Sequence, residues 1–213
     1  MFIHSFIILE CKKLFWHSTS HILGNALEKY YEDKIFLCDG PSTEEGYFYE
    51  FYTKDPKTEI KKEDMEGIEK IMEEEIKKSS KFEKMKITKR EAEKIFAKNE
   101  SKLKIIQKIN ENDQISLYRC GDFVDLCRGP HLPDTNKIKA FKLNFISGSR
   151  DSSSNQLFYR VYGVSFPSSK LFSDWIRFRE EAAKRDHREI GRKQNLLMFH
   201  KLSPGISFFF FCI

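Results

Sequence analysis

The sequence has no apolar run of the roughly 20 residues needed to cross a bilayer. The stretch that comes nearest is the opening Met1-Phe-Ile-His-Ser-Phe-Ile-Ile-Leu9. No basic residue precedes it, and no small-residue cleavage site follows before Glu10, Lys12 and Lys13, so it does not read as a targeting signal. We read it as a buried strand or as the trace of an imperfect gene start. A secreted disulfide framework is also missing: the five cysteines, Cys11, Cys38, Cys120, Cys127 and Cys212, are odd in number and irregularly spaced. That pattern points to a reducing compartment. There is no internal repeat. With 40% hydrophobic and 32% charged residues the composition excludes a disordered or fibrous chain. The 213 residues allow one or two domains. The net charge of +5 is compatible with a nucleic-acid partner without establishing one.

What is present is a mixed pattern. Trp16, Leu23, Ala26, Leu27 and Tyr30 recur at helical spacing and predict an amphipathic helix ending near Asp33. Ile35 to Cys38 and Tyr47 to Tyr52 read as strands around a Gly/Pro loop, and Glu59 to Ser79 returns to helical periodicity. Thr88 followed by Glu91 is a capping box that opens a further helix through Ala92, Ile95 and Phe96. Ile115 to Cys120, Phe123 to Leu126 and Ile138 to Phe145 are strand-like, and Gly148 to Asn155 is a Ser-rich loop. Ser168 to Gln194 is expected to form one long helix with a very charged second half. The apolar run Phe208 to Phe211 then stops with nothing left to bury it, as in a truncated chain. The fold class is therefore α+β, a mostly antiparallel sheet with packed helices followed by a long linker helix.

Two pairs of residues could carry chemistry. His17 and His21 are four apart, which puts both imidazoles on one side of the predicted helix, about one turn apart. A lone pair of this kind is more often a surface or partly buried couple than a ligand set. Cys127-Arg-Gly-Pro-His131 repeats the four-residue step, and its Gly-Pro bend can project thiol and imidazole the same way. The plain alternative is a structural cysteine beside a turn. Three imidazoles and one thiol meet the tetrahedral donor requirement of zinc, or supply acid, base and orienting groups for hydrolysis. Asp125 lies two residues before Cys127, on the same strand face, where a carboxylate can orient a histidine or accept from a substrate. The basic stretch Lys98 to Lys108 is a solvated face unless one lysine polarises an ester carbonyl or binds a phosphate.

The order of motifs is specific. Trp16-His-Ser-Thr-Ser-His-Ile-Leu-Gly24, Asp39-Gly-Pro, Gly46-Tyr-Phe-Tyr, Tyr118-Arg-Cys-Gly121, Asp125-Leu-Cys-Arg-Gly-Pro-His131, Arg160-Val-Tyr-Gly163 and Arg185-Asp-His-Arg188 resemble threonyl-tRNA synthetases in sequence and order. Thr135-Asn-Lys-Ile-Lys-Ala140 and His200-Lys-Leu-Ser-Pro-Gly205 look like the eukaryotic cytosolic form, so a cytoplasmic location is expected.

The resemblance implies an N-terminal extension or remnant over 1–14 and an editing domain over 15–166 that includes a second additional domain near 115–163. It further implies a linker helix over 167–199 and the truncated start of a class II catalytic domain over 200–213. In that family the editing pocket hydrolyses serine mistakenly esterified to the 3′ end of threonine tRNA, and the full-length enzyme is a homodimer. Carried over by motif, His17, His21, Cys127 and His131 line the pocket, Asp125 flanks it, and Lys104 supplies the lysine, with Lys102 as its neighbouring alternative. Zinc is an option through the four His/Cys donors but is not required for editing, and the ATP site is absent from this sequence.

Serine and threonine differ by one methyl, which a synthetic site discriminates by only about 1–3 kcal/mol, so a second, hydrolytic site is the expected remedy. Departures from the family pattern are the missing small N-terminal domain and a shortened Ser147 to Asn155 segment without its usual Tyr-Trp pair. Two other readings remain open at this stage: an inactive tRNA-binding remnant of a threonine-tRNA ligase, and a zinc-dependent hydrolase of unrelated substrate.

Overall fold

A long opening helix organises the first of two units, Met1–Ser168 and Ser169–Ile213, into which the chain divides. The structure, a computed structural model, describes residues 2–55, 58–111, 113–150, 156–199 and 207–209. Helix α1 runs over Phe2–Tyr31, so the opening apolar stretch is helical rather than the strand read from its composition. A short apolar run carries no period of its own, and nothing in the sequence breaks it from the helix that follows. With no Gly or Pro before Gly24, helix propagates through it at one bond per residue fixed.

Two antiparallel sheets flank α1. The first has the order β1 (Ile35–Leu37), β2 (Tyr47–Thr53), β7 (Leu157–Phe166), β6 (Ala140–Arg150). The second is β3 (Phe82–Ile87), β4 (Ile115–Cys120), β5 (Phe123–Leu126). Strict alternation along β2 sends Tyr47, Tyr49, Phe51 and Thr53 inward, where Ile22, Leu23, Ala26 and Leu27 of α1 are buried with them. Each large apolar side chain so buried contributes about 1.5–3 kcal/mol. Trp16 Nε1 donates to Ser165 O at 3.1 Å, and Thr19 Oγ1 lies 2.7 Å from Ser165 Oγ, which pins α1 to β7. The close approach of helix to sheet explains Gly24, since a Cβ there would stand 2.5 Å from Tyr49 Cε2 and 3.0 Å from Phe123 Cζ.

Helix α2 (Asp64–Lys77) lays Ile68 and Met72 against the same core. Helices α3 (Lys89–Ile95) and α4 (Glu100–Gln107) form a smaller core, in which Ala92, Phe96 and Ile106 meet Ile115 and Leu117 of β4. The predicted capping box at Thr88 is present, with Glu91 N donating to Thr88 Oγ1 and Thr88 N to Glu91 Oε2. Strand β3 and helix α4 escaped the sequence reading. The residues of β3 are mostly exposed, so its alternation is nearly invisible, and α4 hides in a lysine-rich stretch that Asn99 caps by accepting from Lys102 N.

Strand β6 continues to Arg150, so Gly148 to Arg150 pairs with β7 instead of looping, while residues 151–155 lie outside the described ones. In the second unit the expected long helix is α5 (Ser169–Lys184), a break at Arg185 and Asp186, and α6 (His187–Lys193). Asp186 makes the break: its carboxylate accepts from Arg188 N and caps a new helix. Strands β8 (Leu197–Phe199) and β9 (Ser207–Phe209) pair antiparallel, and the motif at 200–205 lies outside the described residues. Among the described residues no helix is long and apolar enough to cross a membrane.

One buried carboxylate ties α1 to α2. Glu75 accepts from Asn25 Nδ2 at 3.1 Å, from Lys29 Nζ at 2.5 Å and from Lys78 Nζ at 2.7 Å. Burial pushes its pKa up, but the hydrogen bonds from Lys29 and Lys78 outweigh that and hold it below the ordinary carboxylate value. A depressed carboxylate contributes stability that is present above its unfolded value and lost as pH falls through its folded one. Glu75→Gln is therefore expected to cost about 1–3 kcal/mol at pH 7, or several degrees in thermal midpoint. Calorimetric melts across pH check this: the gap to the wild type should close as pH drops below about 4.

Candidate functional site

The side chains singled out in the sequence meet where α1 crosses the end of β5. His17 and His21 sit one turn apart, with ring centroids 5.2 Å from each other. The bend after β5 brings His131 to 4.5 Å from His17 and 4.3 Å from His21, centroid to centroid. Cys127 Sγ lies 3.4 Å from His17 Nε2 and 3.1 Å from His131 Nε2. The bend depends on Gly129, whose φ of +70° is left-handed and whose added Cβ would fall 2.2 Å from Tyr118 Oη. Gly129 N donates to Cys127 Sγ at 3.2 Å, which fixes the thiol.

Ser18, next to His17, sets the state of His131. Its hydroxyl donates to Leu14 O at 2.9 Å and accepts from Leu132 N at 2.9 Å, while His131 Nδ1 lies 3.2 Å away. With its single hydrogen given to Leu14, Ser18 can only accept from that nitrogen, which assigns the neutral ring an Nδ1 hydrogen. The Nε2 lone pair of His131 then faces Cys127 Sγ. Phe82 stacks on the same ring at 5.1 Å and Tyr118 meets it edge-on at 4.4 Å.

Behind the cluster is a buried charged group. Asp125 accepts from Tyr49 Oη at 2.5 Å, pairs with Lys102 Nζ, and stands 3.8 Å from His21 Nδ1. The lysine that reaches the site is thus Lys102, and Lys104 stands exposed on α4. Two residues on a helix differ by about 200° of rotation, so burying one sends the other to solvent. The motif placement on Lys104 is corrected accordingly. Ser18 and Tyr49 were not singled out as site residues. Both lie inside the quoted motifs, but only their positions in space reveal what they touch.

The electrostatics favour uncharged forms. Burial lowers His17 against the pull of Asp39, and lowers His21 well below its ordinary value with help from His131, His17 and Lys102. Burial and then the neighbouring His17 bring His131 down to about 3. Burial raises Cys127 despite the bond from Gly129 N. Burial also brings Lys102 down to about 8, opposed by Asp39 and Glu28, and its contact with Asp125 acts in the same charge-favouring sense. Neutral imidazoles are the form that abstracts protons and binds metals.

His17, His21, Cys127 and His131 each offer a ligand atom, all within 4.8 Å of one another. A tetrahedral zinc ion with bonds of about 2.0–2.3 Å spaces its donors by about 3.3–3.8 Å. The number and kind of these donors suit that ion, and closing their spread to its spacing would take a shift of about 1 Å.

A cavity of about 320 Å³ opens beside His17 and is lined by Leu14, Ser42, Gly129 and Pro130. A larger one of about 750 Å³ lies between Phe36, Phe96 and Val124 and touches the group only through Lys102. Of the cluster, His17 alone lines the smaller cavity, next to the Gly129-Pro130 bend that carries Cys127 and His131.

Residues 115–162, which span β4, β5, the Cys127–His131 bend and most of β6 and β7, match the second additional domain of threonyl and alanyl tRNA synthetases. Over nearly its whole length the chain is homologous to a segment of the threonine–tRNA ligases. It is 39% identical over 206 residues to the cytoplasmic enzyme of Caenorhabditis elegans, covering 94% of this chain and 27% of the relative. It is 42% identical over 202 residues to a probable cytoplasmic threonine–tRNA ligase 1 of Dictyostelium discoideum, covering 94% and 28%. To the threonine–tRNA ligase of Caldanaerobacter subterraneus it is 39% identical over 204 residues, covering 94% and 31%. The chain thus spans less than a third of the length of these relatives.

A histidine whose folded pKa lies below its unfolded value destabilises the fold on acidification, because the unfolded chain takes up protons first. In the metal-free protein, stability is expected to fall from about pH 6.5 downward, by up to about 1.4 kcal/mol per pH unit for each such histidine. NMR titration of the imidazole carbon-bound protons checks the cause. The signals of His21 and His131 should stay in their neutral positions at pH 6, His17 should titrate below an ordinary histidine, and His131 should titrate near 3.

Proposed function

We propose that this chain is an aminoacyl-tRNA deacylase, an editing region that hydrolyses serine wrongly esterified to the 3′ end of threonine tRNA. The observation that carries the reading is the convergence of three neutral imidazoles and a thiol beside a buried Lys102–Asp125–Tyr49 group, with His17 on the wall of a small cavity. Names of relatives support the substrate class, since these are threonine–tRNA ligases, and two of them are named as cytoplasmic, the location we assign here.

Hydrolysis joins one water to the ester carbonyl and releases serine and the ribose hydroxyl. A neutral imidazole of His17 or His21 takes the proton of the attacking water and returns it to the departing ribose oxygen, so the histidine ends as it began. Asp125 accepts from the ammonium or hydroxyl of the seryl group, and Lys102, paired with Asp125, lends positive charge to the developing oxyanion. Tyr49, kept protonated by burial, donates to Asp125 and fixes its orientation.

Selective hydrolysis of the seryl ester requires the pocket to exclude the one methyl by which threonine differs, which a synthetic site discriminates only weakly. Zinc, when bound by His17, His21, Cys127 and His131, would supply a Lewis acid to this site. Ligation of adenosine-activated threonine is not assigned to this chain.

Single-turnover deacylation of seryl-tRNA and threonyl-tRNA by the 213-residue chain tests the reading. The seryl ester should be cleaved selectively, and His17→Ala and Cys127→Ala should each lose about a hundredfold or more. Lys102→Met should lose activity comparably, while Lys104→Met should stay within about twofold, with thermal midpoints reported for each. Binding of seryl-tRNA without hydrolysis would make the chain a noncatalytic remnant and overturn the proposal.

A further inference from the structure

The sheet of β1, β2, β7 and β6 has a second face, turned away from α1 and the histidine cluster. Outward residues there are aromatic in two rows that cross the strands. In the first row Phe36 pairs with Tyr52 and Tyr52 with Phe158, at ring-centroid separations of 5.2 and 5.4 Å. In the second, Phe48 pairs with Tyr162 and Tyr162 with Phe145, at 5.2 and 4.5 Å. Between the rows Glu50 opposes Arg160, whose Nε donates to Glu50 Oε1 at 2.7 Å. The Arg160 guanidinium also lies 5.0 Å from the centre of the Phe48 ring, and Lys54 Nζ lies 4.6 Å from that of Phe36. Phe145 is 51% exposed, and Lys142 stands exposed on the same face of β6.

Soluble proteins rarely leave six rings on one face without a partner, and what covers such a face must match its charge as well as its rings. Glu50 is taken up by Arg160, and Lys54 stands 3.9 Å from the fully exposed Asp33, a pair that solvent screens, so Lys142 and Lys54 form the positive margin to the aromatic rows. We infer that this face is a stacking platform for an unpaired stretch of RNA, with bases on the two aromatic rows and phosphates against Lys54, Arg160 and Lys142. A π-surface with cations beside it complements a strand that offers a flat base and a phosphate at each step. Four-stranded antiparallel sheets carry stacked bases on such aromatic faces.

The geometry also sets the path of the strand. Tyr52 and Phe48 are four residues apart on β2, so the rows are separated by about 13 Å. A continuous stack rises only about 3.4 Å per nucleotide. Two bases on the two rows are therefore not stacked neighbours, and the strand crosses the face splayed open, with Arg160 beneath its middle. Because α1 packs on the other face of the sheet, this strand does not occupy the histidine and cysteine cavity.

The probe is fluorescein-labelled octa-adenylate, followed by anisotropy with the full chain at two salt concentrations. Binding should weaken with salt, and Phe145→Ala and Tyr52→Ala should each loosen it by about five- to a hundredfold. Phe145→Leu, which keeps the apolar bulk and removes the ring, should loosen it comparably if the alanine variant folds poorly. His17→Ala and Cys127→Ala should leave this binding unchanged, so failure here is separable from failure of the hydrolytic reading.

Three results overturn the inference: no binding of the single strand, equal binding by the ring variants, or equal competition by duplex RNA. A further contrary result is self-association of the chain that Phe145→Ala abolishes, which would make the face a contact between copies.

Discussion

A carboxylate that cannot be left alone in the core, Asp125, holds this protein together. It is 3% exposed, and an unpaired charge at such depth costs about 3–5 kcal/mol. Its partners come from separate elements: Tyr49 from β2, Lys102 from α4 and His21 from α1, with Asp125 itself on β5. Satisfying that one group therefore brings the two sheets, the smaller helical layer and the first helix into a single arrangement. Glycines at two positions permit the approach. Gly24 lets α1 lie on Tyr49, and Gly129 lets the bend after β5 pass under Tyr118.

The same burial that makes Asp125 costly to leave unpaired sets the chemistry in front of it. Three imidazoles and a thiol in one partly enclosed group cannot all carry charge, so they resolve into neutral bases and a protonated thiol. Lys102 and Asp125 pair with each other, which offsets part of the cost of burying both. The result is a site with one fixed ion pair behind and uncharged proton acceptors ahead, which suits ester hydrolysis at neutral pH and also presents zinc with the protonation states it binds. Ser18 adds direction, since its bonds to Leu14 and Leu132 dictate which nitrogen of His131 carries the hydrogen.

Much of this was legible in the sequence where a residue's role depends on its own neighbours along the chain. The four-residue steps His17–His21 and Cys127–His131, the Thr88–Glu91 box and the alternation of β2 each follow from local periodicity. Lys102 was harder: α4 is one short helix in a lysine-rich stretch, and only the side its buried Ile106 selects tells Lys102 from Lys104. Strand β3 shows almost no alternation because most of its residues face solvent. The break at Asp186 needed capping geometry that a continuous charged pattern conceals. The opening helix was misread because a short apolar run fits strand and helix equally.

Single-turnover hydrolysis of the seryl ester across a double-mutant cycle of Lys102→Met and Asp125→Asn tests the central claim most directly. If the buried pair acts as one unit, each single substitution should lose about as much rate as the double, because either one already dismantles the group. Independent, multiplying losses, or rates untouched by either change, would contradict the account.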